Sequence, residues 1–98
     1  MEKHLEALRK QIDTLDHELC RLFCDRMHIV KKIICVKMEN NIEITDRNRE
    51  TSILEKHLTA LNDKSLAMEC KAFLSSLIAI SKDYQQRLAG EHQHHEQT

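Results

Sequence analysis

LFCDRMHIVKKIICVK, residues 22–37, carries apolar residues at helical spacing and then breaks its own rule. Outward from it, Leu5, Leu8, Ile12, Leu15, Leu19, Leu22, Ile29, Ile33 and Val36 follow one another in steps of three and four. The one step left open falls at residue 26, where a guanidinium, Arg26, stands in place of a leucine. This is the 3.5-residue period of a coiled-coil seam, and it predicts one helix from about residue 3 to about residue 39. At 1.5 Å per residue that helix is roughly 55 Å long, whereas a compact chain of this size has a radius of gyration of about 13 Å. A lone chain cannot cover such a seam, so the expected architecture is an intertwined homodimer in which long helices pack against each other.

Composition agrees with an all-α chain. Its 98 residues suffice for one domain, with no proline, no tryptophan, one glycine and one tyrosine, a balance that favours helix almost throughout. A net charge of −1 gives no long-range field toward nucleic acid or an anionic membrane. MEKHLEALRKQID at the N-terminus lacks the apolar core of a signal peptide, and no stretch approaches the roughly 18 apolar residues of a membrane span. The expectation is a cytoplasmic protein. Cys20 and Cys24 lie one helical turn apart, and no His or Cys pair stands opposite them at zinc-knuckle spacing. With Cys35 and Cys70 they are expected to be small buried or half-buried thiols and not metal ligands.

Beyond the first helix, MENNIEIT at 38–45 breaks the period, and its paired asparagines predict a helix end. Thr45 or Asp46 can cap a second helix with Ile53, Leu54, Leu58 and Leu61 on its apolar face. LNDKS at 61–65 makes a short connection, with Ser65 a candidate cap. A third helix shows Leu66, Cys70, Phe73, Leu74, Leu77, Ile78, Tyr84 and Leu88 and is expected to fray near Gly90. Residues 1–90 then form the helical domain, and 91–98, with His92, His94 and His95, a polar disordered tail.

Each predicted helix interrupts its own apolar face with a polar group. Arg26 does so on the first, Glu50 on the second, Ser81 and Gln85 on the third. A second heptad column, Arg9, Asp16, Phe23, Val30 and Lys37, runs beside the seam with a cation at each end. Taken singly, a seam Arg marks register or pairs with a carboxylate, and a Glu near a helix start serves the cap or dipole. Taken together, with cations in excess, they point to a pocket for a small anion, because unpaired polar groups and charges are costly in a core. Arg9 and Arg26 lie roughly 25 Å apart along one helix, so a small ligand that both touch must take one of them from a partner chain.

At these residues the sequence resembles the all-helical, three-helix family of chorismate mutases. LRKQIDTLDHELCRLFCDR at 8–26 resembles the family's opening, Lys37 falls where the family has its lysine, ITDRNRE at 44–50 resembles its Asp-x-x-Arg-Glu segment, and Ser81 and Gln85 match its last helix. The resemblance implies an isomerase that converts chorismate to prephenate, on the way to phenylalanine and tyrosine, by a Claisen rearrangement with no cofactor. It also implies a dimer in which Arg26, Lys37, Asp46, Arg49, Glu50, Ser81 and Gln85 of one chain meet Arg9 of the partner subunit. In that scheme Arg9 and Arg26 hold the two substrate carboxylates, assisted by Ser81. Lys37 and Gln85 donate to the ether oxygen, Glu50 with the backbone near Asp46 holds the ring hydroxyl, and Arg49 supports this network.

The chain departs from the family pattern at Ile42-Glu43-Ile44-Thr45, where a proline often precedes the acidic segment. Arg47 also stands beside Arg49, and the spacing favours Arg49 as the inward residue. Some relatives carry fused or regulatory domains; at 98 residues this chain is expected to lack them, and with them feedback by aromatic amino acids. Two rivals remain: an isochorismate pyruvate-lyase of the same fold, and a non-enzymatic helical dimer in which Arg26 sets register.

Overall fold

The computed structural model describes residues 2–97, with side chains through Glu91. The tail side chains of His92, His94 and His95 lie outside the described residues. Three helices follow in order: α1 (Glu2–Glu39), α2 (Arg47–Ala60) and α3 (Ala67–Gln97), with a 3₁₀ turn at Lys64–Leu66 ahead of α3. The described residues form no strand, as the all-α expectation requires. By its internal contacts the chain divides into two units, Met1–Val30 and Lys31–Thr98. The first is helical stem. The second holds the last turns of α1 and everything after it.

The end of α1 is set by its asparagines. The Asn40 backbone N–H and side-chain amide donate to the Val36 carbonyl at 3.1 and 2.8 Å. Asn41 takes φ 55°, the left-handed conformation that asparagine tolerates better than most residues. The Ile42 N–H then reaches back to the Lys37 carbonyl at 2.8 Å, completing a Schellman turn. Of the two candidate caps for α2, Asp46 is the one used: it is extended (φ −130°), and its carboxylate accepts from the Arg49 N–H at 3.0 Å. Lys64 closes the other end of α2, donating to the Leu58 and Thr59 carbonyls at 2.9 and 2.6 Å.

Two local expectations change. Ser65 is not a cap; Asp63 caps the 3₁₀ turn and accepts from both the N–H and the hydroxyl of Ser65, at 3.0 and 2.5 Å. Its carboxylate, two residues ahead, reaches both donors at once. The third helix does not fray at Gly90 but continues to Gln97. A helix-interior glycine costs only about 1 kcal/mol relative to alanine, and an Arg87–Glu91 pair at 3.4 Å spans the position.

The core also sits elsewhere on α1 than the seam suggests. Val30 and Ile34 are its buried apolar residues, Ile34 at 1% exposure, while Ile29, Ile33 and Val36 stand exposed. Val30 belongs to the column beside the seam, and Ile34 is one turn further on. From Leu5 to Leu22 the seam residues range from 43% exposed at Leu8 to 63% at Leu15. Cys20, Cys24 and Cys35 are exposed as well, contrary to expectation, and only Cys70 is half-buried. At 100° per residue those three thiols project from the back of α1, away from its seam.

Candidate active site

Lys37 organises the second unit. Its carbonyl is held by the Schellman turn, and its ammonium donates to the Ile44 carbonyl at 2.8 Å and to Gln85 Oε1 at 3.3 Å. One residue thus ties the last turn of α1 to the following loop and to α3. Gln85 is buried, 9% exposed, and its Nε2 donates to the Ser81 carbonyl at 3.3 Å. Ser81, 6% exposed, turns its hydroxyl onto the Leu77 carbonyl at 2.8 Å. Among the described residues no buried side-chain nitrogen or oxygen lacks a hydrogen-bond partner, so this polar insertion meets the requirement for burial.

The arrangement gives the amide a definite polarity. Because the Lys37 ammonium can only donate, Gln85 must present Oε1 to it and Nε2 elsewhere. Lys37 has three N–H hydrogens, and two are committed to Ile44 and Gln85. Gln85 Nε2 has two, and one is committed to Ser81. Each group keeps one N–H for a further acceptor.

Glu50 lies in the first turn of α2, where the helix dipole favours its charge. It is half-buried and pairs with Lys82 of α3, Oε1 to Nζ 3.2 Å. Both line an open depression of about 460 Å³ with Thr45, Arg47 and Thr51. Arg47 lines this wall; Arg47 and Arg49 are both exposed, and Arg49 supplies the N–H that Asp46 caps. In the stem, Arg26 is half-buried and Arg9 exposed.

The second unit therefore joins Lys37, Gln85 and Ser81 in one hydrogen-bonded chain and sets Glu50 against a cation that sequence reasoning had not singled out. The signal for Lys82 was present. A carboxylate on an apolar face needs a compensating charge, and Lys82 follows Ser81 directly and precedes Gln85 by three. Among the described residues no group of three His, Cys, Asp or Glu could hold a metal ion.

The family model of chorismate mutase type II matches residues 8–86. The chain belongs to that family. The match spans every segment that carried the resemblance, from the Leu8 opening to Gln85. Among curated proteins, a bifunctional chorismate mutase/prephenate dehydratase of Aquifex aeolicus (strain VF5) is 39% identical over 56 residues, 57% of this chain. The chain spans only 16% of that relative's length. No solved structure matches it significantly. Lys37, Glu50, Ser81 and Gln85 all lie within the matched span.

Proposed function

We propose that this chain is a chorismate mutase: it rearranges chorismate to prephenate for phenylalanine and tyrosine synthesis, as a cytoplasmic homodimer. The family match over residues 8–86 carries the reading, and the Lys37–Gln85 pair supports it chemically. The reaction is unimolecular. A C–O bond breaks while a C–C bond forms, and negative charge gathers on the ether oxygen. No nucleophile or cofactor is required. The protein must hold the enolpyruvyl arm folded over the ring and meet the developing charge with donors already in place. The uncommitted hydrogens of Lys37 Nζ and Gln85 Nε2 are suited to that oxygen. Because Lys37 fixes the amide, little reorganisation is needed when the charge appears.

Arg26 and Arg9 of the partner subunit would bind the two carboxylates, since guanidinium forks match carboxylates in pairs. Ser81 assists one of them. Glu50 and the backbone near Asp46 take the ring hydroxyl, with Arg49 in support. Arg26 stands at the seam position where a leucine is due. The exposed seam from Leu5 to Leu22 supports the dimer: so long an apolar stripe is more than a soluble chain leaves to water. No helix among the described residues is long and apolar enough to cross a membrane.

The test is the loss of chorismate absorbance on adding purified protein, with acidification converting any prephenate to phenylpyruvate. Rapid conversion without added cofactor is expected. A folded dimer that leaves chorismate untouched overturns the proposal. Pyruvate release from isochorismate that outruns prephenate formation would reassign the chain to the lyase reaction.

A further inference from the structure

Lys82 has no role among the residues proposed to touch chorismate, yet its ammonium pairs with the Glu50 carboxylate. It stands on the turn of α3 that carries Ser81 and Gln85 and reaches across to α2, with its side chain 31% exposed against 28% for Glu50. The depression that both line contains one carboxylate and two cations, Lys82 and Arg47. A carboxylate has roughly four acceptor positions, so contact with Lys82 leaves Glu50 able to accept from a hydroxyl.

We propose that Lys82 is a positioning residue for the rearrangement. It aims the Glu50 carboxylate and offsets its charge, so that a dianionic substrate can approach a site that contains an acid. The inference rests on the chorismate reading. The substrate is doubly charged before and during the reaction, so an uncompensated Glu50 would repel ground state and transition state alike. The loss should therefore fall on KM and not on kcat. A plain structural clasp predicts otherwise, because a half-exposed ion pair contributes little to stability and its removal would leave KM unchanged.

The experiment compares the parent with Lys82→Met, Lys82→Arg, Glu50→Gln and the Lys82→Met/Glu50→Gln pair in the full chain. Lys82→Met should raise KM about tenfold with kcat within about threefold of the parent, and the increase should shrink as salt is added. Lys82→Arg should restore most of the loss. In the Glu50→Gln background the Lys82→Met change should alter KM less than about twofold, because the charge to be offset is gone. Where turnover in that background is slow, chorismate affinity by calorimetry replaces KM. An active parent whose Lys82→Met variant keeps its KM overturns the inference. So does an effect of equal size with and without Glu50, which would make Lys82 a direct substrate ligand, and so does a fall in kcat alone. An inactive parent instead removes the mutase reading itself. If Lys82→Met fails to fold, Lys82→Gln carries the same comparisons.

Discussion

Replacing Lys37 with methionine separates two things this lysine does. Methionine keeps most of the length and apolar stem but removes every donor. The 2.8 Å bond to the Ile44 carbonyl and the 3.3 Å bond to Gln85 Oε1 both disappear. A hydrogen bond from a charged group contributes about 1.5–3 kcal/mol, and an acceptor left unsatisfied in a buried place costs about 1–3 kcal/mol. Gln85 is buried but Lys37 is only half so, so the net loss should be about 2 kcal/mol. Urea unfolding at fixed protein concentration reads it, because a dimer's stability depends on concentration. Adding Gln85→Leu should return about 1 kcal/mol, since removing both partners costs less than orphaning one. Activity should move the other way. The single variant should lose at least about 10²–10³ in kcat, the usual cost of one donor to a developing oxyanion, and the double variant should lose more. A Lys37→Met protein with turnover within about threefold of the parent would refute the ether-oxygen role. Unchanged stability would refute the energetic account of the Lys37–Gln85 bond.

Three further outcomes are expected. Arg26→Ala should lower kcat/KM by at least about a hundredfold while sedimentation still shows a dimer, and Arg26→Lys should recover little, because a point charge does not replace a bidentate fork. Leu15→Glu, placing a charge on the exposed seam, should shift the sedimentation profile toward monomer and abolish activity with it; an active dimer would remove the seam from the interface. Asp46→Ala should cost about 1 kcal/mol in urea unfolding through loss of the α2 cap, and Asp46→Asn much less.

Much of this was legible from residue pattern because the pattern is local. The 3.5-residue seam gave the extent of α1 within a residue or so, and Asn40-Asn41 marked its end because asparagine both caps and tolerates positive φ. Glu50, Ser81 and Gln85 were readable as polar breaks in apolar faces, and Lys37 as the end of a charged column, whereas Asp46 and Arg49 entered the candidate set through the family resemblance alone. What escaped was tertiary. Ile34, the most buried of the described residues, lies outside both heptad columns. The exposure of Cys20, Cys24 and Cys35 depends on which side of α1 is covered, which thiol chemistry does not reveal. Lys82 is an ordinary surface lysine until Glu50 is placed opposite it. Ser65 lost the cap to Asp63 by a matter of reach, a choice that composition leaves open.

The double use of Lys37 constrains how such a chain can change. Its carbonyl closes the helix while its ammonium grips a carbonyl seven residues downstream. The linker is thereby a fixed-length spacer whose register is measured from the lysine side chain. A single residue inserted between Asn41 and Ile44 would leave every proposed site residue in the sequence, yet displace the carbonyl that the lysine grips. Substitutions along this linker that preserve its length are tolerable variation; a change in length there costs the lysine its anchor.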